Sequence, residues 1–448
     1  MSDFSNKERG ECCQCENVAN TQSQYPIGIG NIGTGNTSTM ATFSSLPNGW
    51  EVRYGKSIFT ENKRKNKSLE NSTILSLSYG KIVVKKSPDE GLVPAEYSGY
   101  QILAPGDIVI RCTDLQNDQK SQRVGIVEVE GIITSAYLGL KVNDGVSSRY
   151  IAYWLKNWDA TKEIYRYGSG LRQSLSWVDL KYLPIPLPPL PEQKAIVAYL
   201  DAETGRIDKA IAAEEKMIAL LQERREIVIN EAMGGGDFSR KDRKERKGWE
   251  ASTIRRHFDI TLGKMLCSNK LSDDYTLEKY FCAADVHFGD LATTDNKQMW
   301  FSHKEKDQYL IKNGDLLIVE GGAGAGGACV VQGLKENFYI QNSILRLRSR
   351  GTASERFVCY VLEGFVKRGY IEMACNKATI PHFTKEKVGD VPIPLPPLSE
   401  QEAIVERLDR ETGKIDRAIE VKRRQIELLR ERRQIVIDEV VTGKVKVA

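Results

Sequence analysis

Histidine is scarce in this 448-residue chain: there are four, at His257, His287, His303 and His382, and no two stand close together. Of nine cysteines only Cys12, Cys13 and Cys15 cluster, with no histidine beside them. The spacing of these side chains therefore argues against a metal centre. Odd, unpatterned cysteine usage fits a reducing compartment. No apolar run is long enough to span a bilayer. The N-terminal MSDFSNKERGECC lacks the apolar core of a signal peptide, so a cytoplasmic location is expected. Neither sign of charge dominates: 64 Lys and Arg against 60 Asp and Glu leave +4. That balance neither demands nor excludes nucleic acid, and any basic surface must come from local arrangement.

Catalytic signatures are also missing. There is no P-loop, no His-Glu-x-x-His, and no Asn- or Asp-Pro-Pro-aromatic loop of the sort amino-methyltransferases use against a flipped base. Gly322, Gly324 and Gly327 fit the dinucleotide spacing G-x-G-x-x-G. The ACVVQG that follows reads as a strand, however, where a dinucleotide site needs a helix N-terminus, so a turn between strands is expected. Asp89, followed by Asp118 and Lys120, matches the loose carboxylate–carboxylate–lysine pattern of metal-dependent nucleases. It occurs in one half only, among turn-forming residues, and arises readily by chance. The chain reads as non-catalytic, with no cofactor of its own.

What the chain does have is a stretch that occurs twice. PIPLPPLPEQKAIVAYLDAETGRIDKAI begins at Pro184, and PIPLPPLSEQEAIVERLDRETGKIDRAI begins at Pro392. The copies run gap-free to Gly235 and Gly443, 208 residues apart, and roughly 60% of paired positions are identical, which marks an internal duplication. The proline-rich lead-in must be extended. Helix is expected from Pro191 in the first copy, and Ser399 with Glu402 has capping-box spacing in the second. Apolar residues then recur at heptad-like intervals: Leu200, Ile207, Ile211, Ile218, Leu221 and Val228, matched by Leu408, Ile415, Ile419, Ile426, Leu429 and Val436. Glu214, Arg225, Lys422 and Arg433 interrupt the seam, as polar residues do where they set register. Two helices of about 60 Å, each needing a partner, most simply pair with each other. The midpoints, near Ile211 and Ile419, are expected to touch.

The rest of the chain repeats more loosely. Gly49-Trp50-Glu51 and Gly248-Trp249-Glu250 both open a globular segment. Gly106-Asp107 and Gly314-Asp315 are 208 apart within strand-like runs, and SSRYIAYWL (147–155) resembles SERFVCYVL (354–362). The expected organisation is a disordered extension over 1–45, a globular domain over 46–183, a proline-rich lead-in and long helix over 184–236, and a charged linker over 237–248. A second globular domain follows over 249–391, then a second lead-in and helix over 392–448. The fold class is α+β: two similar domains, each followed by a long helix, the helices pairing antiparallel with pseudo-twofold symmetry. Met40 opens MATFSSLPNGWEV, which resembles a natural start.

Loop-like segments carry the residue types that bind phosphates or base edges. In the first half these are Lys63, Arg64, Lys65, Lys67, Arg166, Tyr167, Arg172 and Gln173; in the second, Lys264, Lys270, Asn376, Lys377, His382 and Lys385. Ordinary solvated loops explain any single cluster as well.

Two variable domains, each ending in PIPLPPLxEQ and a long helix, resemble the specificity subunit of type I restriction–modification enzymes. The resemblance spans about residues 46–445 and rests on Pro188 to Gln193, Pro396 to Gln401, the Gly-Trp openings and the Gly-Asp strands. It implies that each domain recognises half of a split site in double-stranded DNA, with the coiled coil setting the spacer. It also implies two methyltransferase subunits and restriction/translocase subunits as partners, which supply S-adenosylmethionine, ATP and magnesium chemistry. A coiled-coil scaffold whose heads bind proteins is the alternative from another class, and an enzyme built on Asp118 and Lys120 is a third.

Overall fold

The computed structural model describes residues 46–85, 96–116, 118, 122–168, 173–233, 249–292, 297–375 and 381–447. The expected extension over 1–45 and linker over 237–248 lie outside them.

The first half opens with β1 (Glu51–Tyr54), β2 (Phe59–Glu61) and the hairpin β3 (Leu75–Ser78) and β4 (Lys81–Val84). Next come β5 (Gln101–Leu103), β6 (Ile108–Ile110), β7 (Val124–Ile126), β8 (Gly131–Ile133) and β9 (Leu138–Val142). Helix α1 (Ser148–Ala160), β10 (Pro184–Leu187) and α2 (Leu190–Met233) complete it. Its main sheet runs β2-β9-β6-β7, all antiparallel, while β5 pairs with β8. Central β6 is buried at every residue, as its unbroken Ile-Val-Ile requires.

The second half contains β11 (Glu250–Thr253), β12 (Phe258–Leu262), β13 (Thr276–Phe281), β14 (Val286–His287), β15 (Asp290–Leu291) and β16 (Lys297–Phe301). Then follow β17 (Leu316–Val319), β18 (Ala328–Val330), β19 (Tyr339–Ile340), β20 (Ile344–Ser349), α3 (Glu355–Lys367), β21 (Pro392–Leu395) and α4 (Leu398–Val441). The sheet β12-β20-β17-β18 repeats the first half's four-stranded order. The peripheral strands do not repeat: here they form a β16-β13-β19 sheet, with β13 and β19 parallel. The glycine-rich run between β17 and β18 is a strand-to-strand turn, not the start of a helix. Gly106 and Gly314 take φ of +93° and +97° in matching turns, a backbone region that glycine adopts without a Cβ penalty. In each turn the following aspartate accepts a backbone N–H at 2.8 Å, Asp107 from Ala104 and Asp315 from Lys312.

The proline-rich lead-ins are strands with long-range partners. β10 pairs antiparallel with β1, Glu51 opposite Leu187 and Tyr54 opposite Pro184. β21 pairs with β11 in the same register, Glu250 opposite Leu395. Each globular head is thus sewn to the root of its own long helix.

Both long helices have 44 residues, about 66 Å at 1.5 Å per residue. Each starts at the leucine before the expected position. The capping box at Ser399 and Glu402 does not form: the N-cap is Pro397, whose side chain cannot accept, and Ser399 lies inside the first turn. At the far end Gly443, with φ +75°, follows the cap and stops α4.

The helices are antiparallel. Ion pairs join Glu214 to Lys422 at 3.0 Å, Glu215 to Arg430 at 3.2 Å, Asp208 to Arg433 at 3.1 Å and Arg225 to Asp416 at 2.9 Å. The residue numbers in each pair add to roughly 640, so the pseudo-twofold axis passes near Met217 and Gln425. Ile211 is therefore level with the region of Leu429, and Ile419 with that of Leu221. The two isoleucines lie about 16 Å apart along the axis instead of touching. In this register the apolar tips of both helices reach into the opposite heads, and the four ion pairs are made along the seam. Leu200, Ile207, Val228, Leu408, Ile419 and Ile426 are buried, while Ile211, Ile218, Leu221, Ile415, Leu429 and Val436 are half-buried.

The hydrophobic cores cross between halves. Ile437, Val440 and Val441 at the end of α4 pack into the first head with Ile58, Ile110, Tyr150 and Leu200. Val228, Ile229 and Met233 at the end of α2 pack into the second head with Phe258, Leu316, Phe357 and Leu408. Each head therefore grips the root of its own helix and the tip of the other.

Candidate nucleic-acid interface

The motif residues that define the repeat turn out to hold the heads on the helices. Trp50 Nε1 donates to Glu192 Oε1 at 3.0 Å, and Trp249 Nε1 donates to Glu400 Oε1 at 2.9 Å. The next residue in each motif is buried: Gln193 donates to the Pro188 carbonyl at 2.8 Å and accepts from Ser147 N–H at 2.8 Å. Gln401 does the same with Pro396 and Ser354, both at 2.8 Å. Those serines cap α1 and α3, accepting from Tyr150 and Phe357 N–H at 3.3 Å. Further along, Tyr153 and Arg149 bind Asp201, and Tyr360 and Arg356 bind Asp409, all at 2.6–2.9 Å. The identical residues thus serve the joints, which leaves the outer loops free to differ.

On the first head, Lys63, Arg64, Lys65 and Lys67 are all exposed on the loop that follows β2. Fully buried Asn66 braces this loop, donating to the Asn71 carbonyl at 2.9 Å and accepting from Asn71 N–H at 3.2 Å. Lys65 Nζ rests 2.6 Å from Ser135 Oγ, and Lys63 is 3.7 Å from Glu61. The second segment is turned inward. Gln173 spends its amide on the Tyr165 and Tyr167 carbonyls at 2.7 and 2.8 Å. Tyr167 packs edge-on against Trp158 at 5.4 Å, and burial pushes its phenol pKa up. Arg166 pairs with Glu163 at 3.2 Å, and Arg172 lies outside the described residues.

On the second head, Lys264 is buried, paired with Glu305 and seated over the Tyr275 ring at 4.8 Å. Its charge is already compensated, so it is no free cation for a ligand. Lys270 pairs with Asp273 at 3.2 Å. His382 is exposed beside the glycine turn, its Nδ1 3.3 Å from Glu320 Oε2, and Lys385 is exposed three residues on. Asn376 and Lys377 lie outside the described residues. The structure thus gathers Lys63, Arg64, Lys65 and Lys67 on one loop, and His382 and Lys385 near the Gly321 turn.

One exposed residue had no motif to flag it. Tyr79, at the tip of the β3–β4 hairpin, is 88% exposed with φ +47°, a strained conformation for a bulky side chain. The turn-forming Ser-Tyr-Gly-Lys run is its only sequence signal. Asp118, by contrast, is held by the Arg111 side chain, and its carbonyl accepts from Arg123 at 2.6 Å. Asp89 and Lys120 lie outside the described residues. Among the described residues, no His, Cys, Asp and Glu group has metal-binding geometry and no helix is long and apolar enough to cross a membrane.

The type I restriction modification DNA specificity domain matches this chain twice, over residues 47–221 and 246–429. The chain belongs to that family. Each match takes in one head and most of its long helix, the unit that the duplication repeats. The chain is also similar to a Methanocaldococcus jannaschii protein assigned as the type I restriction enzyme MjaX specificity subunit. The two are 24% identical over 430 residues, 90% of this chain and 95% of that one. The type I restriction enzyme StySPI specificity subunit of Salmonella potsdam is 24% identical over 277 residues, covering 59% and 58%. In fold, a chain from a solved type I R-M system aligns with a TM-score of 0.68 at 19% identity, covering 90% of this chain and all of that one. Within this family of specificity subunits, the α+β architecture with two heads on paired helices is the shared frame.

Proposed function

We propose that this specificity subunit reads a split, asymmetric DNA site, one half with each head, and that the antiparallel helices set the spacing between the halves. The observation that carries the reading is the division of labour between repeated and unrepeated residues. The joints are built from the same side chains twice, whereas the loops that face solvent differ between heads. Heads with different loops read different half-sites. Exposed Lys63, Arg64, Lys65 and Lys67 supply phosphate contacts that fix register, and base-edge contacts in the grooves then read sequence. A helix pair of about 66 Å suits sites separated by up to two turns of duplex, at about 34 Å per turn.

The chain itself contributes recognition and no chemistry. Two modification subunits, using S-adenosylmethionine, methylate adenine on either side, and restriction subunits use ATP and magnesium. Mapping methylated adenines in cells with and without this chain tests the reading. A bipartite asymmetric motif should appear only when the chain is present. An unchanged methylation pattern, together with no salt-dependent binding of purified chain and modification subunits to duplex DNA, would favour a protein-binding scaffold.

A further inference from the structure

The two head–helix joints share a frame but differ in charge at one pair of equivalent positions. Arg225 on α2 and Arg433 on α4 are equivalent by the repeat. Each lies against the equivalent aspartate of the opposite helix, Asp416 at 2.9 Å and Asp208 at 3.1 Å. At the second head Arg225 also pairs with Glu363 of α3, itself buried. The residue of α1 that stands where Glu363 stands is Lys156, so at the first head a cation faces a cation. Lys156 makes neither a hydrogen bond nor an ion pair among the described residues. Arg433 Nε is buried and, though 3.1 Å from Asp208, donates no hydrogen bond.

Both side chains line a cavity of about 390 Å³ between the β3–β4 hairpin, α1 and the end of α4. Lys81 and Arg149 line it as well. Of the two carboxylates present, Glu128 is exposed, and Asp159 is turned away: one oxygen accepts from Arg123 N–H at 2.6 Å and the other is closed off from solvent. Burial, then Arg433 and Lys81, pull the Lys156 pKa below the ordinary lysine value. Lys156 is half-buried with no carboxylate bonded to it, and half-buried Arg433 has only Asp208, which takes no hydrogen bond from its Nε, so an anion between the two would relieve their repulsion. Ammonium and guanidinium groups converging on one cavity favour tetrahedral oxyanions, with Arg giving directed N–H bonds and Lys a point charge.

We propose that this cavity binds a phosphate group between Lys156 and Arg433, and that the bound group clamps the first head onto α4 as the Arg225–Glu363 pair clamps the second head onto α2. The site does not depend on how the heads read DNA. Its phosphate comes either from a free anion or from the backbone of a bound duplex.

Inorganic phosphate titrated into the full-length chain in chloride buffer should bind saturably by calorimetry and raise the unfolding temperature. Lys156→Glu rebuilds in the first head the pairing present in the second. It should weaken phosphate binding by about tenfold or more, while unfolding at or above the wild-type temperature without phosphate. Lys156→Gln should also lose phosphate binding, which guards against a folding effect of the new carboxylate. A duplex oligonucleotide separates the two sources. If the backbone supplies the group, phosphate competes with duplex and Lys156→Glu reduces the salt slope of DNA binding by about one. If a free anion supplies it, the slope is unchanged while phosphate binding is still lost. Absence of saturable phosphate binding in the wild type overturns the proposal. So does wild-type phosphate affinity in both variants, or a defect confined to assembly with modification subunits, which would assign the site to a partner carboxylate.

Discussion

Trp50 and Glu192 are 142 residues apart in the chain and 3.0 Å apart in space, indole N–H to carboxylate. The same bond joins Trp249 to Glu400. Together they explain why each head opens with Gly-Trp and each long helix begins with Glu-Gln: the first residues of a head are tied to the first turn of its own helix.

Removing this tie should loosen one joint without unfolding the molecule. Trp50→Phe and Glu192→Ala should each cost about 1 kcal/mol, a shift of about 2–4 °C in unfolding temperature for a domain of this size. The double variant should cost less than the sum of the two, because both remove one interaction. Strict additivity in thermal or urea unfolding would show that the bond contributes nothing.

The far end of the first joint rests on Asn157, which is buried. It donates to Asp438 at 2.9 Å and accepts from Gln434 at 2.7 Å. Asn157→Leu strands both partners on α4, at an expected cost of about 1–3 kcal/mol. Limited proteolysis should then cut near the C-terminus sooner than in the wild type, while the second head keeps its wild-type resistance. Equal loss of resistance at both ends would contradict separate joints.

Helix orientation can be measured directly. Lys194 and Glu402 sit near the starts of α2 and α4 and are exposed. Spin labels there should lie about 67 Å apart along the axis, a full helix length. A parallel pair would bring them within about 15 Å, given interaxial spacings of 8–10 Å. Leu200, fully buried where α2 enters the first head, provides the packing test: Leu200→Ala should cost about 2–5 kcal/mol by urea unfolding.

Exchange of residues 46–183 for those of a related protein should change one half-site and leave the other half-site and the spacer fixed. The junction is not free of long-range bonds, since β1 lies inside the exchanged segment and β10 outside it. An incoming segment that keeps the Gly-Trp opening and strand register should fold, and one that lacks them should not. Four residues added to each long helix, about 6 Å, should change the tolerated spacer by one or two base pairs at about 3.4 Å each. Methylation mapping reads both outcomes, and a swap that altered both half-sites would defeat the two-headed reading.

By itself the sequence determined the duplication, the two long helices and their apolar seam. Heptad spacing and repeat identity are local properties, written within one segment and readable without its partner. It also pointed to the family, because PIPLPPLxEQ and the Gly-Trp openings recur with fixed spacing. Tertiary structure alone decided the register, in which Glu214 meets Lys422, Arg433 meets Asp208 and each helix tip packs into the opposite head. It decided that the lead-in Pro184–Leu187 is a strand, because its partner lies about 130 residues earlier. Peripheral strands such as β13 and β16 carry mixed polar and apolar residues and gain their structure only from the strands they pair with. The fate of individual cations was likewise non-local. Lys264 and Lys65 look alike in sequence, yet one is buried on Glu305 and the other stands on an exposed loop, since burial depends on what the rest of the chain brings beside it.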